Sequence, residues 1–306
     1  MVKFKEAEGI PEVTRVLFHA GTGTLSSYKE LLPYLAQQCT ENEALLGFNF
    51  GNAEDYLKRS IDTLLIDSAK SYADILMEQE SQKFELIGYC VGGWIALETA
   101  TILVEKGIDV SKVTIISSSL CGHNFDNDLL LERAFGISIG ADVKRAGYGG
   151  SNKDIQEVLS VIKANHEERG ITTEQLCNLS GEYKEIGVGF ETLSKMKQRD
   201  RLKCIYETLS NSEDNGGNIE MFELLYQLFS HSFRGVMRYK PSGYVGDVHA
   251  LFVEDDTKHF FPVKNISNKD LWNGIVLGDL KIDYIPGDHG DCLKEPNVKS
   301  VAELIK

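Results

Sequence analysis

The sequence lacks any run of ~18 consecutive apolar residues, the length a membrane-spanning helix needs. Its opening stretch, MVKFKEAEGIPEV, has no apolar h-region, so no secretory signal is expected there. Paired cysteines are also missing. The six cysteines stand at 39, 90, 121, 177, 204 and 292, without a CxxC pair and without His/Cys groups at zinc-ligand spacing. No metal site is therefore expected, and the irregular spacing argues against a disulfide framework. Positive charge is in short supply: 32 Lys and Arg face 46 Asp and Glu, a formal net charge of -14. Such a field repels nucleic acid and anionic membrane alike, which argues against both as general partners. A local basic patch facing an acidic partner stays possible. Internal repeats and low-complexity tracts are absent. These absences together suggest a cytoplasmic protein with reduced thiols.

What is present is ordinary globular material. Of 306 residues 42% are hydrophobic and 25% charged, enough for one large domain, or one domain carrying an insertion. The first 120 residues alternate short β-branched runs with helical patterns. Strands are expected at Val13–Phe18, Ala44–Phe50, Phe84–Ile87 and Val113–Ser117. Between them, helices are expected at Tyr28–Gln38, Asp55–Glu80 (one or two) and Trp94–Lys106. This βαβα rhythm implies a mostly parallel sheet covered on both faces. From about Asn124 to Arg238 the rhythm stops, and helical patterns dominate at Ile155–Arg169, Phe190–Leu209 and Ile219–Phe233. It resumes with strands at Val248–Val253 and Ile282–Ile285 and a terminal helix at Val298–Ile305. The expected organisation is an α/β core of residues 1–123 and 239–306, interrupted by a helical lid insertion at 124–238. Insertions over the carboxyl edge of such a sheet usually form lids.

Residues 84–98 read FELIGYCVGGWIALE. A strand runs into Gly88-Tyr89-Cys90-Val91-Gly92-Gly93, and a helix follows. That is the G-x-S-x-G nucleophile elbow with cysteine in the serine position. The turn is sharp, so its neighbours must be small, and Gly88 and Gly92 meet that need. Cys90 then lies at a helix N-terminus. The helix dipole and an adjacent imidazole both favour the reactive thiolate there. The alternative, a buried structural cysteine beside incidental glycines, is disfavoured by the strand–turn–helix context.

An elbow of this kind takes its base from a histidine beyond the last core strand. Among histidines at 19, 123, 166, 231, 249, 259 and 289, only His289 follows a strand and a Pro-Gly turn (IDYIPGDH). One oxyanion donor should be the amide of Val91. The second should come from the loop after the first core strand, Phe18-His19-Ala20-Gly21-Thr22-Gly23, with Gly21 preferred and Ala20 the alternative. His19 is read as a residue that orients this loop rather than as a base. Trp94 is read as helix packing, Cys121 and His123 as incidental, and Cys292 as near the base in sequence only.

The segments LFHAGTGTLSSYKELLPYLA, IGYCVGGWIALETA and IPGDHGDCLKEPNVKSVAELI together resemble type I thioesterase domains, which terminate nonribosomal peptide and polyketide synthases. The resemblance covers both ends of the core and implies an α/β-hydrolase fold. It further implies a substrate held on the phosphopantetheine arm of an acyl or peptidyl carrier domain, attack on that thioester, and release from an acyl-enzyme. No cofactor of the chain's own is implied.

Two departures from that pattern stand out. Cysteine replaces serine at the elbow; a few such members are associated with unusual releases such as strained-ring formation. The acid of the triad is the second. Many members carry Asp after the strand that follows the elbow helix, where this chain has Ile115-Ile116-Ser117-Ser118. The acid is then expected at the end of the next core strand, at Asp256, with Asp255 the alternative; a Cys–His pair working without an acid is also compatible. Two other functions remain open: a freestanding cysteine hydrolase of small esters or lactones, like dienelactone hydrolase, and a non-catalytic α/β-hydrolase used for binding. The elbow, His289 and the small-residue loop favour the carrier-dependent thioesterase or cyclase.

Overall fold

The computed structural model describes residues 1–120, 126–165, 170–209, 218–254 and 268–306. Within these the chain divides into two compact units. One is formed by residues 1–120, 238–254 and 268–306, the other by 126–237.

The first unit is built on strands β1 (Val2–Lys5), β2 (Val13–Phe18), β3 (Glu43–Phe48), β4 (Phe84–Tyr89), β5 (Val110–Ile116), β6 (Val248–Val253) and β7 (Leu280–Ile285). They form one sheet in the order β1-β3-β2-β4-β5-β6-β7. Every neighbouring pair is parallel except β1 with β3. Its helices are α1 (Leu32–Gln38), α2 (Ala53–Lys58), α3 (Leu64–Met77), α4 (Val91–Glu105) and, later in the chain, α11 (Asn268–Asn273) and α12 (Val298–Ile305).

Burial explains the strand composition. All six residues of β2 (VTRVLF) and all six of β6 (VHALFV) are buried, as in parallel strands covered on both faces. The buried Arg15 fits because Glu85 accepts from its Nε at 3.1 Å and Glu43 lies 3.7 Å away. Helix α3 buries Leu65, Ala69, Tyr72, Ala73 and Leu76, a single face at helical spacing. Helix α4 buries every residue from Val91 to Ala100, which explains its apolar run.

The sequence reading missed β1, a four-residue edge strand whose exposed face carries no core pattern. The helix expected from Trp94 begins earlier, at Val91, directly after the nucleophile position. Parallel strands bring their carboxyl ends to one edge. The pairs Phe18↔Gly88 and Tyr89↔Ile116 set the loop after β2, the elbow after β4 and Ser117 after β5 side by side.

The second unit is helical: α5 (Asp128–Ser138), α6 (Asn152–Asn165), α7 (Thr173–Cys177), α8 (Lys184–Ser194), α9 (Gln198–Tyr206) and α10 (Ile219–Arg238). No strand occurs among its described residues. Helix α5 escaped the sequence reading because Leu129 to Gly136 are buried on all sides, so no apolar stripe marks it. The single helix expected at Phe190–Leu209 is two, α8 and α9. The carbonyl of Met196, freed at the break, accepts from Arg201 at 2.7 Å. Arg201 also grips the fully buried Glu132 with two bonds of 2.7 Å, and Tyr148 donates to the same carboxylate at 2.6 Å. None of the described helices is long and apolar enough to cross a membrane.

Candidate active site

The elbow is where the strand β4 must become a helix within one residue. Cys90 makes that turn with φ 58° and ψ -123°. With Ser117 (φ 46°), it is one of two non-glycine residues with positive φ among those described. Such backbone typically costs about 1–3 kcal/mol and persists only where the surroundings enforce it. The enforcement is visible: the Cys90 amide donates to Ile116 O at 3.1 Å, and Ser118 Oγ donates to Cys90 O at 2.6 Å. The turn is also too tight for side chains on either flank. A Cβ on Gly88 would lie 2.1 Å from the Gly92 carbonyl oxygen, and one on Gly92 would lie 2.5 Å from the Phe18 carbonyl oxygen.

The Cys90 thiol is pushed up to about 11, first by burial; backbone hydrogen bonds from Val91 and then Gly21 pull the other way. The two amides expected as oxyanion donors are thus those that favour the thiolate. Ala20, the alternative, spends its amide within the loop on Thr24 O at 3.4 Å. Burial thus works against the thiolate that the helix dipole favours, and outweighs the two amides.

His289 is buried in the turn after β7, and its Nδ1 lies 2.8 Å from Ser117 Oγ. The Tyr89 ring stacks on the imidazole at 5.0 Å and 22°, and the Tyr89 hydroxyl donates to the His289 carbonyl. Cys90 and His289 are therefore anchored to the same two segments, 89–90 and 116–118. Tyr28, fully buried, accepts from the Tyr89 amide at 2.7 Å and donates to Phe18 O at 2.8 Å. It ties the end of β2 to the elbow. Asp256 and Asp255, expected to supply the acid, lie outside the described residues, as do Cys121 and His123.

His19 is fully buried, with Nδ1 donating to Ala20 O at 2.9 Å and Nε2 3.0 Å from the Tyr72 hydroxyl. Burial, with a smaller contribution from Arg59, lowers it to about 4 against the Ala20 hydrogen bond. It is a neutral loop anchor. Trp94 stacks on Trp272 at 4.6 Å and 8°, a packing role. Cys292 is buried, its sulfur 4.0 Å from His289 O and its thiol raised chiefly by burial. Of the residues named here, the sequence reading gave Tyr28 and Tyr89 no role in holding the site. Ser117 was noted only as a missing acid. Among the described residues no cluster of His, Cys, Asp and Glu could hold a metal ion.

A family model described as thioesterase domain matches residues 16–130, which contain the loop, the elbow and Ser117. Over 303 residues the chain is 30% identical to pyochelin synthetase PchF of Pseudomonas aeruginosa, a match covering 99% of this chain and 15% of that protein. The chain thus spans about 15% of the length of that curated relative. A solved four-domain nonribosomal peptide synthetase is 17% identical over 98% of this chain and 19% of its own, with a TM-score of 0.65. The Vlm2 thioesterase domain is 16% identical over 99% of this chain and 95% of its own, with a TM-score of 0.53. The NocB thioesterase domain is 19% identical over 98% and 94%, with a TM-score of 0.51. At such identities the structures speak to fold, and the fold is the α/β-hydrolase fold. Residues 16–130 thus match the thioesterase-domain model, and the chain as a whole is similar in fold to thioesterase domains of solved structure.

Proposed function

We propose that the chain releases an acyl or peptidyl group from the phosphopantetheine thioester of a carrier domain through an acyl-Cys90 intermediate. The observation that carries this reading is the strained turn at Cys90, φ 58° between β4 and α4, with His289 anchored to the adjoining Tyr89 and Ser117. The Val91 and Gly21 amides, which favour its thiolate, are the donors for the oxygen of the attacked carbonyl, where charge develops.

His289 takes the proton of Cys90 as the sulfur bonds to the thioester carbon. The oxyanion of the tetrahedral adduct rests on Val91 N–H and Gly21 N–H. As the adduct collapses, the carbon–sulfur bond to the pantetheine arm breaks, and the imidazolium returns its proton to the departing thiolate. In the second half His289 deprotonates water, a hydroxyl or an amine, which attacks the acyl-Cys90 thioester; Cys90 leaves and is reprotonated. Transfer from one thioester to another is close to isoenergetic, so the acyl group stays activated. That suits an internal amine or hydroxyl as acceptor, giving a ring or an aminolysed product. The carrier domain is the expected macromolecular partner, as in the synthetases that the chain resembles.

The test is incubation with an acyl-pantetheine thioester, followed by intact mass, peptide mapping and product analysis. An adduct on Cys90 and released acid, ring or amide are expected. An adduct mapping to Cys292, or turnover retained in Cys90→Ala, would overturn the reading.

A further inference from the structure

His289 is gripped at Nδ1 by a residue that the strand pattern would have pointed elsewhere. Strand β5 ends at Ile116, and the next residue leaves extended backbone for φ 46°, which side-chain-bearing residues rarely adopt. The Ser117 amide still donates to Leu251 O at 2.9 Å, so the turn is pinned to β6. The buried hydroxyl of Ser117 then stands 2.8 Å from Nδ1. We propose that Ser117 is the positioning residue of His289, its hydroxyl holding Nδ1 so that Nε2 exchanges protons with Cys90. This rests on the reading of His289 as the base.

A hydroxyl does this work differently from a carboxylate. It accepts from Nδ1–H when the ring is neutral in the productive tautomer or is an imidazolium, and it donates to a bare Nδ1 in the other tautomer. It fixes the ring plane without adding negative charge, so it leaves the basicity of His289 where the other surroundings set it. Among the described residues those surroundings include the Tyr89 ring and hydroxyl, and Cys292 against the His289 carbonyl. Asp288 and Asp291 belong to the same turn; Asp288 Oδ1 accepts from the Gly290 and Asp291 amides, and Asp291 Oδ1 from the Asp288 amide. The aromatic face of Tyr89 is suited to an imidazolium, as a ring quadrupole attracts a cation.

The experiment compares Ser117→Ala, Ser117→Asn and Ser117→Asp in the full chain, each checked for folding by circular dichroism. Two readouts are taken: kcat/KM against pH with an acyl-pantetheine thioester, and 15N-histidine NMR titration of His289. Ser117→Ala should lose roughly five- to tenfold in kcat/KM, the share of one hydrogen bond, with KM little changed. Ser117→Asn supplies an uncharged acceptor and should recover most of that loss without moving the pH profile. Ser117→Asp adds a negative charge that favours imidazolium. The acidic limb of kcat/KM and the NMR titration should both move to higher pH by about one unit or more.

Wild-type rate and titration in Ser117→Ala would overturn the proposal. So would loss in Asp256→Asn or Asp255→Asn while Ser117→Ala stays active, since the positioning role would then sit on a carboxylate. Turnover surviving in His289→Ala would instead refute the reading of the base. An inactive His289→Ala beside an unaffected Ser117→Ala refutes this proposal alone.

Discussion

A buried thiol that must attack a thioester needs a proton acceptor at the moment of attack. In the proposed mechanism Cys90 is such a thiol, and burial pushes it up to about 11 although the Val91 and Gly21 amides favour its thiolate. Its thiolate fraction near neutral pH is small, and the reactive form must be generated in the encounter with substrate. Iodoacetamide should therefore label free Cys90 slowly at pH 7, with a rate rising about tenfold per pH unit towards 11, because only thiolate reacts. Mass-spectrometric labelling across pH checks this; full reactivity at pH 6 would mean a preformed thiolate–imidazolium pair. Turnover should still depend on the imidazole. His289→Ala should lose ~10²–10⁴-fold in kcat/KM, the usual share of positioned proton transfer, measured with an acyl-pantetheine thioester. Cys90 and His289 were legible because spacing and context mark them: a strand and glycines around one, a strand end and Pro-Gly before the other. Ser117 was legible only as an absence. A serine at a strand end carries no pattern, and its place beside Nδ1 follows from a backbone turn that no sequence period records.

At the level of elements, the site depends on how strand ends are fastened to one another. Tyr28 bridges β2 and the elbow through Phe18 O and the Tyr89 amide. Tyr28→Phe keeps the ring volume but strands a buried amide, which costs about 1–3 kcal/mol. The free energy of denaturant unfolding should fall by that amount and lower the midpoint, and kcat should fall with it as the Gly21 loop loses its tether. An unchanged midpoint would mean that the amide finds another partner. In the helical unit the corresponding fastening is Glu132 with Arg201. Arg201→Met leaves a carboxylate buried without its cation, a change worth roughly 3–5 kcal/mol, and denaturant unfolding of the full chain should show it. The sequence marked β2 and β6 to the residue as short apolar, β-branched runs, and α12 by its single buried face. Helical periodicity failed for α5, which is buried on all sides, and no apolar run marks β1, which is mostly exposed.

For the whole molecule, the question the proposed mechanism raises is where the acyl group goes once it has left the carrier. Every elbow feature would serve a serine as well as a cysteine: the positive φ at position 90, the two amides and the glycines that the turn demands. The sulfur therefore changes the intermediate rather than the scaffold. A thioester keeps the activation of the carrier-bound substrate and stays more reactive toward an amine than an oxygen ester does. An internal nucleophile held close to it gains from effective concentration, which reaches 10⁵–10⁸ M in well-oriented cases. Cys90→Ser should accordingly either accumulate as a stable acyl-serine or shift product from ring or amide toward linear acid. The check is the product ratio of wild type and Cys90→Ser on one carrier-bound substrate bearing an internal amine or hydroxyl, with intact mass to catch a stalled adduct. If both give only the linear acid at equal rates, the cysteine has no part in choosing the acceptor. The choice would then belong to whatever admits or excludes water at the acyl group.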